Sequence, residues 1–143
     1  RAMKSKAPLV LMEQIIMLLV FALAAAICLQ AFIKADALSS ASANRDKAVI
    51  LAQSTAELIR SNEGDLAKAA EQLAATCEQG LLQQTYDKNW QPSAAANPAF
   101  TLQAHIMPNT APGVGSAKVL VLDEQQQTIF ELDIAWQEVT TNA

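Results

Sequence analysis

Glu13 is the residue whose type and place carry the most chemical information. It interrupts an otherwise apolar stretch: residues 9–12 read Leu-Val-Leu-Met, and residues 14–20 read Gln-Ile-Ile-Met-Leu-Leu-Val. A carboxylate at the centre of a membrane helix costs roughly 2.5–3.5 kcal/mol on insertion scales. Near the end of a span the cost falls, because the side chain reaches the interface. Two readings stay open from the residues alone. Glu13 marks the cytoplasmic edge of a membrane span, or it pairs inside the membrane with a positive group on a neighbouring protein.

The other reactive residue types are sparse. His105 is the only histidine, and alternation puts it on the polar side of a strand. A base without a nucleophile, an orienting group or a cleft has no reaction to perform. No cluster has metal-ligand spacing. Gly113 and Gly115 form a G-x-G in a proline-containing loop, without the preceding strand and following helix that a phosphate loop needs. Cys28 falls inside the apolar run and Cys77 in the polar-faced region after it. Both read as free thiols packed as small apolar groups. Trp90 and Trp136 read as core or rim aromatics of a sheet. We therefore expect no catalytic residues, no metal and no cofactor.

The elements that hold these residues follow from charge and periodicity. Hydrophobic residues make up 52% of the 143 positions, and they are concentrated near the N-terminus. Residues 15–33 carry no charge, and this run of 19 residues reaches roughly 28 Å as a helix, enough for a hydrocarbon core of about 30 Å. Arg1, Lys4 and Lys6 precede it, whereas thirteen acidic and seven basic residues follow it. The positive-inside rule then places residues 1–8 in the cytoplasm, as a basic leader or cytoplasmic segment. Residues 9–33 form the transmembrane helix, and residues 34–143 form an extracytoplasmic domain. The net charge of −4 and the lack of a basic patch indicate no nucleic acid partner; membrane lipid is the partner that composition demands. A cleaved secretory signal competes with this reading through a weak A-x-A match at residues 35–37.

Against cleavage, the helical pattern runs on through that point. Leu38, Ala41, Arg45, Ala48, Leu51 or Ala52, Thr55 and Ile59 recur at steps of three and four, and no proline or glycine interrupts residues 9–63. One helix over residues 9–60 is the simplest expectation, apolar all round at first and amphipathic later. Asn62 is expected to cap a second helix whose apolar face is Leu66, Ala70, Leu73 and Cys77, with Gly80 as its stop. After Gly80 the period becomes two. Strands are expected around residues 100–106, 117–123 and 130–137, the last two as a hairpin, with a small extra hairpin around residues 82–91. Loops are expected at residues 92–98 and 108–115. The fold class is α+β: a long N-terminal helix packed with a short second helix on a small antiparallel β-sheet.

Residues 9–13, Leu-Val-Leu-Met-Glu, followed by a long apolar helix, resemble the start of type IV pilins and of the pseudopilins of type II secretion. In that family a short basic leader precedes four mostly apolar residues, a glutamate, and a helix that is half membrane anchor and half support for an antiparallel sheet. Residues 3–8, Met-Lys-Ser-Lys-Ala-Pro, look like such a leader in length and charge. The chain has Pro8 where the family usually has glycine or alanine, and Leu9 where it usually has an aromatic residue. The resemblance implies a leader-processing site at Pro8 and Leu9, with a prepilin peptidase as a partner. It also implies that Glu13 meets the freed amine of a neighbouring subunit and sets register, since an unpaired buried carboxylate would be expensive.

The resemblance implies a pilin-like structural subunit, a minor one, of a type IV pilus, competence or type II secretion-type filament. Other pilin-like subunits would be its partners through the N-terminal helix. The rival is a membrane-anchored extracytoplasmic sensory or ligand-binding domain, which would need a pocket. A second rival is a signal-anchored envelope protein with no filament.

Overall fold

The computed structural model describes residues 6–139 of the chain, residues 109 and 110 by their backbone alone. The leader positions 1–5 lie outside the described residues. The chain divides into two compact units, one ending at Ser42 and one beginning at Ala43. The fold is α+β, with helix α1 (Lys6–Ser61), helix α2 (Leu66–Leu73) and five strands.

Up to Ser42 every described residue is helical and exposed. The helix survives Pro8 because proline lacks only an N–H, and the first turn of a helix has no intrahelical acceptor for one. By length and composition α1 is apolar enough to cross a membrane.

From Ala43 onward the same helix is amphipathic. Ala48, Ala52, Thr55, Ala56 and Ile59 are its buried residues, spaced at three and four so that they share one face. Three of the five are alanines, which bring the helix backbone close to whatever it covers. Thr55 donates its hydroxyl to the Leu51 carbonyl at 2.8 Å, which satisfies the polar atom inside the core. The sequence left Leu51 and Ala52 as alternatives for this stripe. Ala52 is fully buried, and Leu51 packs at its flank.

The strands are β1 (Thr76–Glu78), β2 (Leu81–Tyr86), β3 (Phe100–Ala111), β4 (Val114–Leu122) and β5 (Thr128–Gln137). They form one antiparallel sheet in the order β1-β2-β3-β4-β5. Leu82, Ala104, Val119 and Leu132 lie in one cross-strand row, and Leu102, Val121 and Phe130 in the next. These rows face the core, where Leu82, Leu102, Val119 and Val121 are almost wholly buried. Each such side chain contributes about 1.5–3 kcal/mol through removal of apolar surface from water.

Several local expectations need correction. The cap of α2 is Asp65, whose carboxylate accepts from Lys68 N at 3.2 Å, and not Asn62. The Asn62 amide donates to the Leu58 carbonyl at 2.8 Å and to Gln72 Oε1 at 3.1 Å, tying the end of α1 to α2. Helix α2 ends at Leu73, because Ala74 takes the left-handed conformation at φ 54° and its N–H turns back into the helix. Cys77 therefore lies in β1 and not on a helix. Gly80 ends no helix: with Gln79 at φ 52° and Gly80 at φ 79°, these residues form the tight β1–β2 hairpin, which requires two positive φ angles.

The proposed hairpin at residues 82–91 is a strand followed by a turn. β2 pairs with β1 and β3, and the turn is closed by a Tyr86–Pro92 bridge with backbone hydrogen bonds from Asp87 N to the Gln91 carbonyl and from Ser93 N to the Thr85 carbonyl. The loop expected at residues 108–115 is mostly strand, reduced to the turn between Ala111 and Val114. Pro108 is tolerated because the β3–β4 register shifts between Met107 and Ala111, where a missing N–H breaks no ladder.

Candidate assembly site on the N-terminal helix

The candidate site is built on α1 by helical spacing. Leu9 and Val10 precede Glu13 by one turn, and Ile16 and Met17 follow it by one turn. All four are exposed large hydrophobics, so the carboxylate stands in an apolar surface. Lys6 lies two turns away on nearly the same face, at an axial rise of about 10 Å. That is beyond ion-pair distance, and among the described residues Glu13 has no salt bridge. Pro8 and Leu9 both lie within α1, exposed, in its first turn. Leu9 is four residues before Glu13, so the two are neighbours on one helix face, about 6 Å apart along the axis. The arrangement supplies a carboxylate in an apolar surround.

The remaining chemistry-bearing residues of the second unit are separated. His105 is half-buried in β3, in register with Leu81 and Lys118. Lys118 reaches Asp133 at 3.7 Å. Gly113 makes the β3–β4 turn at φ 76°, and Gly115 lies under Trp136. Their G-x-G is thus a hairpin element. Among the described residues no group of three His, Cys, Asp or Glu side chains converges on a metal position. Cys28 and Cys77 are free thiols.

Two features of this unit escaped sequence reasoning. Trp90 stacks on Phe100 with ring centres 3.8 Å apart and planes 8° from parallel, and its Nε1 donates to Asn44 Oδ1 at 3.3 Å. That contact fastens the turn after β2 to the helix. An open depression of about 350 Å³ lies beside it, lined by Asn44, Lys88, Phe100 and Asp123 among others. Burial pushes the Tyr86 phenol above its ordinary pKa. At the opposite end of the sheet, Trp136 fills the space above both Gly64 and Gly115. The two glycines were visible in the sequence, but no pattern linked them to a tryptophan twenty or more residues away.

No family model, no curated protein and no solved structure matches the chain.

Proposed function

We propose that this chain is a pilin-like structural subunit, a minor one, of a type IV pilus, competence or type II secretion-type filament. Its N-terminal helix anchors it in the membrane, with the domain from residue 34 onward outside. The observation that carries this reading is the composition of α1 along its length. Over residues 9–33 the helix presents exposed apolar residues broken by one carboxylate at Glu13, and its last turns bury an alanine-rich stripe in the core of a sheet domain. An anchor and a domain scaffold made from one helix suit a subunit that waits in the membrane and is later drawn into a helical bundle. Within such a bundle Glu13 would be desolvated, and pairing with a neighbour's cation would penalise any wrong stagger.

The test is fractionation. Cells expressing the chain are sheared, and the released filaments are separated from membranes. The chain is expected in both fractions. Its confinement to the membrane, under conditions where filaments form, would remove the filament role and leave an anchored binding domain. Sequencing the N-terminus of the filament form would show whether the Pro8–Leu9 bond is cut.

A further inference from the structure

The two edges of the sheet are unlike. The β1 edge is three residues long, and short edge strands resist further pairing. The β5 edge is ten residues long. It stands last in the strand order, so one row of its backbone N–H and C=O groups has no strand partner among the described residues. From Phe130 to Gln137 its register with β4 is unbroken, with the only shift at the Leu122–Thr128 end. Its sequence, TIFELDIAWQ, holds no proline and no lysine, and its register shows no bulge along that stretch; Glu131 and Asp133 are the charges that guard it.

Cover of the sheet is uneven in the same sense. Helix α2 contacts β1 and β2 and buries Leu66, Ala69 and Ala70 there. On β4 the core-facing Ala117, Val119 and Val121 are fully buried, whereas their β5 partners Ile134, Leu132 and Phe130 remain only half-buried. An added strand would continue those rows and complete their burial.

Charge selects the occupant. On the outer face of β5 stand Glu131 and Asp133, with Glu138 exposed just beyond. Among the described residues the cation that answers them is Lys118, at 3.7 Å from Asp133. Antiparallel pairing of β5 with a second copy centred on Leu132 would set Glu131 opposite Asp133 twice, and like charges directly opposite destabilise a ladder. We propose that the β5 edge accepts an extended segment of another polypeptide by strand addition. Its residues alternate between apolar side chains, which extend the Phe130, Leu132 and Ile134 rows, and lysine or arginine, which face Glu131 and Asp133. This inference does not depend on the filament reading.

The test uses the full chain in detergent micelles and two short labelled peptides, one alternating lysine with valine and one alternating glutamate with valine. The basic peptide is expected to bind with saturation, weakening as salt rises, and to slow amide hydrogen exchange in residues 130–137. The acidic peptide is expected to bind about tenfold or more weakly. Glu131→Lys with Asp133→Lys, both exposed positions, should reverse that preference while circular dichroism stays parental. Failure of the basic peptide to bind overturns the proposal. So does equal binding of both peptides, or protection that appears elsewhere in the chain. Protection of β5 that rises with protein concentration and without peptide would assign the edge to a second copy and overturn the choice of partner.

Discussion

The indole of Trp136 occupies the space that a side chain at Gly64 would need. A Cβ built on Gly64 would overlap the ring at Cζ2, and Gly64 also sits at φ +86°. Trp136 comes from the last strand and Gly64 from the turn that follows α1, so this contact joins the end of the helix to the end of the sheet. Gly115, opposite Trp136 in the β4–β5 ladder, meets the same ring from the sheet side.

Gly64→Ala should therefore suffer twice, from a left-handed backbone and from steric overlap. Together these cost about 2–4 kcal/mol, seen as a fall of about 10 °C or more in melting temperature. Gly80→Ala supplies the comparison. Gly80 has a similar φ of +79° but nothing within 4 Å of its Cβ position. It should lose only the backbone part, about 1–2 kcal/mol. Equal losses in the two variants would show that Trp136 does not constrain Gly64.

A second expectation concerns the alanine stripe. Ala52 is fully buried between α1 and the sheet. Ala52→Leu must push the helix outward and should cost about 1–3 kcal/mol. Gln53→Leu, one position on and exposed, should melt near the parent. Chemical denaturation of both variants checks the assignment of the packing face.

Tyr86 gives a pH dependence with a definite sign. Tyr86 is 7% exposed, and burial raises the pKa of its phenol above the ordinary tyrosine value. The folded state thus holds the proton more tightly than the unfolded state. This contribution is fully present below about pH 10 and is lost as pH climbs through the folded pKa. Melting temperature followed from pH 8 upward should fall at the alkaline end, and Tyr86→Phe should flatten that fall. An unchanged slope in the variant would move the cause to another group.

Glu13→Leu separates two models of the membrane segment. If the glutamate only marks the membrane edge, the variant inserts as well as the parent and reaches filaments equally. If it pairs with a neighbour's cation, insertion survives but the partner's charge is left unanswered. That loss is about 3–5 kcal/mol, which lowers incorporation by about two orders of magnitude or more. The ratio of chain in sheared filaments to chain in membranes, at matched expression, reads the difference. In the same cells, added protease should digest the domain beyond residue 34; a protected domain would reverse the orientation drawn from Arg1, Lys4 and Lys6.

The broad architecture was legible because it rests on strong periodic signals. The run at residues 15–33 lies in a helix long and apolar enough to cross a membrane, and Phe130, Leu132, Ile134 and Trp136 alternate without a fault. What escaped detection depends on single residues that adopt uncommon backbone states or distant partners. Ala74 ends α2 in a left-handed conformation that alanine seldom takes, so the helix stops before the glycine that composition favoured. Asn62 and Asp65 are both good caps, and the choice between them follows from the Asn62–Gln72 contact. The helical residues around Glu13 were equally readable, and among the described residues no cation pairs with that carboxylate.

The sheet order has a kinetic consequence. Every strand pairs only with its neighbours in the chain, so apart from the longer β2–β3 connection the sheet closes by short loops, the topology that favours fast folding. Docking is different, because the residue that seals the turn at Gly64 arrives with the fifth strand. Until Trp136 is in place, the glycine seat stands open and the earlier hairpins lack their final wall. The second unit should accordingly gather its strands early and become cooperative only at the end, with the C-terminal hairpin deciding when the core excludes water.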